Sequence, residues 1–253
     1  DIRHAASRLQ QLDISGELTG TRLGYWQLDS IIAHGGMSTV YLASRQDGQF
    51  EQQVAIKVLN PLIYPVTSNS QAFAEANVAA KLNHPGITKV FDAGITEHQG
   101  QQAHYIVMEY IEGQNLDSWL KSHKPKLTTL VQLFIELCDA LHYAHTHQII
   151  HADLKPENIL VDEHGKPKLI DFGIARLQQQ SEQAPAYVQY YVKALSRQYA
   201  SPEQLSGEPL TTLSDVYSVG KVLQDALALK AYQNKLQALE LNMVIHKALA
   251  TFS

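Results

Sequence analysis

The pattern of apolar and polar positions changes midway along the chain. In the first part, β-branched and aromatic residues crowd Tyr25 to Ile32, Thr39 to Arg45 and Phe50 to Leu59, which predicts three strands. Gln46-Asp47-Gly48 supplies the turn between the last two. A helix interrupts them: Ser68, Asn69 and Ser70 offer N-caps, and the alanine-rich stretch Gln71 to Leu82 runs on until His84-Pro85-Gly86 stops it. Two more strands are predicted near Ile87 to Ala93 and His104 to Tyr110. Beyond Glu112-Gly113 the period becomes helical. Leu130 to His145 places Val131, Phe134, Leu137, Cys138 and Leu141 on one apolar stripe. Asp215 to Leu229 reads as another helix, with Val216, Val219, Val222 and Leu223 facing inward. Residues 1–24 form a polar lead-in expected to fold onto the first sheet.

Length and composition narrow the options. At 253 residues the chain suits one bilobed domain or two small ones, and an apolar fraction of 45% allows a sizeable core. The net charge of -5 gives no general reason to expect nucleic acid or an anionic membrane as partner. Cys138 is the only cysteine, which excludes an internal disulfide framework and fits a reducing compartment, so the expected location is cytoplasmic. No run of eighteen apolar residues exists, so no membrane span is expected in this chain. A start at Asp1 and an abrupt end at Ser253 suggest a fragment of something longer, with a flanking regulatory domain outside it.

Candidate chemistry concentrates in a few short stretches. HADLKPENIL, residues 151–160, sets Asp153, Lys155 and Asn158 beside apolar flanks, where unpartnered polar groups would cost free energy. IIAHGGMSTVY, residues 31–41, carries Gly35 and Gly36, which let backbone amides approach an anion, although Gly-Gly between strands is more often a plain hairpin turn. Lys57 of VAIK points to the face opposite Ile56 and Val58, either into solvent or toward phosphates under the glycine turn. Glu75, in the capped helix, faces solvent or pairs with Lys57.

Taken together and in order, IIAHGGMSTVY, VAIK, FAEAN, HADLKPENIL, LIDFGIA and YASPEQ resemble the eukaryotic-like serine/threonine protein kinases of bacteria, from about Tyr25 to near the end. LNHPGI, IVMEYIEG, YAHTHQIIH and SDVYSVG agree with that resemblance. It implies an α+β bilobal fold: after the extension 1–24, an N-lobe over 25–110 with an antiparallel sheet and one helix, and a mainly helical C-lobe over 111–253. Nucleotide is expected in the cleft between them. It implies transfer of the γ-phosphate of Mg-ATP to serine or threonine hydroxyls of a protein substrate. Lys57, held by Glu75, would carry the α- and β-phosphates; Asn158 and Asp171 would hold Mg2+; Asp153 would take the hydroxyl proton or orient the hydroxyl; Lys155 would reach the γ-phosphate. Ala33, Gly35, Gly36 and Ser38 would cover the phosphates. Val40, Ala55 and Leu160 would sandwich adenine, with Met108 behind it and Glu109 and Ile111 offering backbone groups; for the apolar ones, ordinary core packing is an equally valid description.

The chain departs from the family pattern in places. Ala152 stands where the family usually has the arginine that binds a phosphate on the activation segment, so regulation by that phosphate is not expected. Ala33 and Ser38 replace the first and third loop glycines. The activation segment, Asp171 to Glu203, contains no threonine and offers Ser181, Ser196 and tyrosines 187, 190, 191 and 199. Ser196 matches a threonine that bonds to the catalytic loop, and the arginine that usually pairs with Glu203 is not reached. Rival readings are a nucleotide-binding pseudokinase scaffold and a small-molecule kinase; Lys155 and Ser201-Pro202-Glu203 argue against the latter. A structural metal on His142, His145, His147 and His151 lacks a recognisable ligand spacing, and Cys138 reads as core filler.

Overall fold

The structure, a computed structural model, describes residues 18–35, 37–49, 51–61, 64, 66, 76, 79–98, 101–172, 198–228, 243 and 247–248. Among these, one compact unit takes the residues up to 81 together with 89–111, and a second takes 82–88, 112–172 and those from 198 onward.

The first unit is an antiparallel sheet of six strands: β1 (Arg22–Leu23), β2 (Trp26–Gly35), β3 (Ser38–Arg45), β4 (Gln53–Leu59), β5 (Val90–His98) and β6 (Gln101–Glu109), in the spatial order β1-β2-β3-β4-β6-β5. β4 lies inside the sheet, and everything from Val54 to Leu59 on it is buried. Its alternation divides the core. Val54, Ile56 and Val58 join Leu28, Tyr41, Ala43, Ala103 and Val107 on one face. Ala55 joins Ile106 and Met108 on the other, with Val40 and Val90 packed against them. Of the lead-in, the described residues 18–24 add β1 to the sheet edge and seat Leu18 and Leu23 in the first cluster.

The second unit combines helices α1 (Leu116–His123), α2 (Leu127–Thr146), α3 (Pro202–Ser206) and α4 (Thr212–Ala228) with a small antiparallel sheet of β7 (Gly113–Asn115), β8 (Ile159–Asp162) and β9 (Pro167–Leu169). The side chain of Asn115 accepts a 2.9 Å bond from the Ser118 amide and caps α1. Gly113 is required where it stands: a Cβ there would lie 2.3 Å from the carbonyl oxygen of Val161 across the β7–β8 pairing. The loop at Gly86 to Thr88 belongs to this unit, because Leu169 donates to Gly86 and Thr88 donates to Leu169. The α+β class implied by the sequence is the class observed.

Two inward assignments need correction. The buried stripe of α2 is Leu130, Leu133, Phe134, Leu137, Ala140, Leu141 and Ala144, and Cys138 falls outside it, exposed. On α4 Val216 is exposed, because Asp215, Ser218, Val219, Val222 and Ala226 take the inward face and Val216 sits about 100° from Asp215 around the helix. The predicted helix Gln71–Leu82 and the second helix's end at Leu229 fall largely outside the described residues. Among the described residues no helix is long and apolar enough to cross a membrane.

Candidate active site

The loop after α2 is fixed from below by one carboxylate. Asp215, in the first turn of α4 and 1% exposed, accepts 2.9 and 2.8 Å bonds from the amides of His151 and Ala152 and lies 2.7 Å from Nε2 of His145. That grip holds Ala152 at φ 63, a left-handed conformation that costs a residue with a Cβ roughly 1 kcal/mol. His151 is fully buried: its Nδ1 accepts from the Asp153 amide at 3.3 Å, so Nε2 carries the proton and donates to the Ile170 carbonyl at 2.9 Å. Its ring packs 4.6 Å from that of Phe172.

Around Asp153 the expected groups converge. Lys155 Nζ lies 2.7 Å from Asp153 Oδ2, and Asn158 Nδ2 donates to the same oxygen at 3.0 Å and to the Asp153 carbonyl at 2.8 Å. The Asp153 side chain is only 10% exposed. Proximity of Asp171 follows from the hairpin. Asn158 ends the short 3-10 turn Pro156–Asn158, β8 begins at Ile159, and Ile159 pairs with Leu169 of β9. The Ile170 amide then donates to the Asn158 carbonyl at 3.0 Å, which sets Asp171 beside Asn158. Asp171 has φ 65, a second left-handed residue. With both amide hydrogens of Asn158 committed to Asp153, the group it can offer a cation is its side-chain oxygen. Asn158 and Asp171 are thus hard oxygen donors of the kind Mg2+ takes alongside phosphate oxygens and water.

In the first unit, strand register assembles another group of expected residues on one face of the sheet. Val40 opposes Lys57, Lys57 opposes Ile106, and Ala55 opposes Met108. Lys57 is buried, 6% exposed, so it is not the solvated strand lysine the sequence also allowed. The β2–β3 hairpin pairs Ala33 with Val40 and Gly35 with Ser38. A Cβ on Gly35 would come no closer than 4.0 Å, to the Ser38 carbonyl oxygen, so packing does not demand glycine there. The Glu109 amide is engaged by the Lys89 carbonyl at 2.9 Å. Ile111 is half-buried, and Leu160, half-buried on β8, belongs to the second unit. Gly36, Glu75, and the activation-segment candidates Ser181, Ser196 and tyrosines 187, 190 and 191 lie outside the described residues.

Sequence reasoning missed several groups. Asp215 was visible only as an acid at the head of an apolar helix, a signal that does not say what it binds. Gln204 Nε2 donates to the Ala152 carbonyl at 2.8 Å. Glu203 receives the Ser214 hydroxyl on one carboxylate oxygen, while its other oxygen is buried with no hydrogen-bond partner among the described residues. The Tyr199 hydroxyl donates to Asp225 at 2.9 Å, and burial together with that carboxylate pushes the phenol above its ordinary pKa. His145 is held by Asp215, and His147 Nδ1 donates to the Tyr143 carbonyl at 2.8 Å. Among the described residues no group of three or more His, Cys, Asp or Glu side chains could hold a metal ion.

A five-stranded antiparallel core with an added edge strand, a helical unit, and an Asp-Lys-Asn loop followed by an Asp-Phe pair whose aspartate is left-handed are features of the protein kinase fold. The chain belongs to the protein kinase domain family, which matches residues 26–251. Among its relatives, serine/threonine-protein kinase PknB of Mycolicibacterium smegmatis is 38% identical over 204 residues, 80% of this chain and 32% of that protein. The probable serine/threonine-protein kinase SCO3848 of Streptomyces coelicolor is 35% identical over 209 residues, 82% of this chain and 30% of that protein. The chain therefore spans about a third of the length of these curated relatives. Among solved structures, the Mycobacterium tuberculosis PknI kinase domain superposes with a TM-score of 0.68 at 25% identity, covering 93% of this chain and 92% of that one.

Proposed function

We propose that the chain transfers the γ-phosphoryl group of Mg-ATP to serine or threonine hydroxyls of a protein substrate. The observation that carries this reading is the convergence of Lys155 and Asn158 on one oxygen of Asp153, with Asn158 bonded to the residue before Asp171. Phosphoryl transfer asks little covalent chemistry of a protein and much positioning and charge stabilisation. The substrate oxygen bonds to the γ-phosphorus as the bond to the ADP oxygen breaks, and the hydroxyl proton passes to Asp153. Lys155, held on Asp153, offers its ammonium to the γ-phosphoryl oxygens, and Lys57 offers its own to the α- and β-phosphates. Asn158 and Asp171 would hold Mg2+, which when bound neutralises charge on the phosphates.

Val40, Ala55 and Leu160 would contact adenine, with Met108 behind it and backbone groups of Glu109 and Ile111 on its edge. The glycine turn with Ala33, Gly35, Gly36 and Ser38 would cover the phosphates; that packing leaves Gly35 unconstrained supports selection for close approach there. Glu75 would hold Lys57 in place. A cytoplasmic site of action goes with this reading, supported by the lone thiol. The test is nucleotide binding by titration with and without Mg2+: Asp171→Ala should abolish the Mg2+-dependent part. Unchanged Mg2+ dependence in that variant contradicts the assignment.

A further inference from the structure

The peptide bond between Ala152 and Asp153 is tied at both ends. Its N–H, on Asp153, donates to His151 Nδ1 at 3.3 Å, and its carbonyl, on Ala152, accepts from Gln204 Nε2 at 2.8 Å. The residue carrying that carbonyl is itself left-handed, at φ 63, a conformation that persists only where surroundings enforce it. Asp215 enforces it at the Ala152 amide, 2.8 Å away, and Gln204 at the carbonyl. Gln204 sits on α3, which is fastened to α4 through Glu203 and Ser214. Among the described residues, its side chain bonds the loop at Ala152 from the position just after the activation segment. The groups that make this linkage are backbone amides and carbonyls, a glutamine amide, two carboxylates and a hydroxyl, with no lysine or arginine among them.

We propose that Gln204 is a positioning residue for Asp153. Its amide fixes the plane of the peptide from which the Asp153 carboxylate projects, and so couples the end of the activation segment to the loop without a phosphate. The proposal rests on the kinase reading above. If the bond is lost, the peptide can rotate, Ala152 relaxes toward ordinary dihedrals, and Asp153 Oδ2 leaves its place between Lys155 and Asn158. Ground-state binding of nucleotide does not depend on that placement, whereas proton acceptance in the transition state does.

The experiment compares the full chain with Gln204→Glu, which keeps the shape but offers no N–H when ionised, and Gln204→Leu. It measures kcat, KM for ATP, and amide hydrogen exchange at Asp153 by mass spectrometry. The expected result in both variants is a fall in kcat of tenfold or more, KM for ATP within twofold, and faster exchange at Asp153. If Gln204→Leu fails to fold, Gln204→Glu carries the test. A kcat within twofold of the unaltered chain overturns the inference, as does a lowered kcat with unchanged exchange at Asp153. Failure of the kinase reading is distinguishable: the unaltered chain itself then transfers no phosphate and Asp153→Asn changes nothing.

Discussion

Asp215 Oδ1 accepts a 2.8 Å hydrogen bond from the amide of Ala152, 63 residues earlier in the chain. The other oxygen of the same carboxylate accepts from His151 and meets His145, so one buried acid ties the end of α2, the loop that carries Asp153 and the start of α4 together. Removing it takes away the acceptor of two buried N–H groups. Each would cost about 1–3 kcal/mol to leave unsatisfied.

Asp215→Ala is therefore expected to lower stability by on the order of 3 kcal/mol. Urea unfolding followed by fluorescence checks this, as a drop in midpoint at unchanged slope. A midpoint equal to that of the unaltered chain would show that water or another acceptor takes over the two amides.

Acidification should weaken the first unit through His104. This side chain, on β6 and 2% exposed, has its pKa lowered by burial. The unfolded chain takes up a proton at this histidine near pH 6.5, while the folded chain resists it, so the unfolded state binds more protons as the pH falls below that value. Stability contributed by the neutral ring is complete above about pH 6.5 and is lost as the pH falls through the folded-state value. Between pH 7 and pH 5 the urea midpoint should drop, and His104→Gln should make the drop shallower. Equal slopes in the two proteins would remove His104 from the pH response.

Much of the site could be read from spacing because its parts are close in sequence. Asp153, Lys155 and Asn158 lie within one turn and its flank, and strand alternation alone sends Lys57 to the face it shares with Val40, Ala55 and Met108. Contacts that close over long sequence separations were not legible. The bonds from Asp215 to the loop, from Gln204 to Ala152 and from Ser214 to Glu203 depend on how α3 and α4 pack, and composition carries no trace of that. The error at Val216 has the same origin: an apolar residue next to Asp215 was placed inward, when the polar Asp215 and Ser218 hold the inward face because their partners are there. Cys138 looked like core for the converse reason, since a helical stripe read from sequence has soft edges.

On the kinase reading proposed above, Ala152 would leave the loop without the cation that usually meets a phosphate on the activation segment. Complete dephosphorylation, verified by mass spectrometry, is expected to leave kinase activity within about twofold, and Ala152→Arg should add little. A tenfold fall on dephosphorylation, about 1.4 kcal/mol in barrier, restored by phosphate on Ser181 or a segment tyrosine, would mean that another basic residue such as Lys193 or Arg197 has taken the role.

The most direct test is transfer of labelled γ-phosphate from ATP to a generic protein acceptor in the presence of Mg2+, measured for the full chain and for Asp153→Asn side by side. The expected result is phosphoserine or phosphothreonine formed by the unaltered chain. Asp153→Asn should be slower by roughly 10²–10⁴-fold, with ATP binding retained, since the group removed acts on the transition state rather than on nucleotide. No transfer by the unaltered chain, or near-equal rates for the two proteins, would contradict the assignment of Asp153 and the kinase activity built on it.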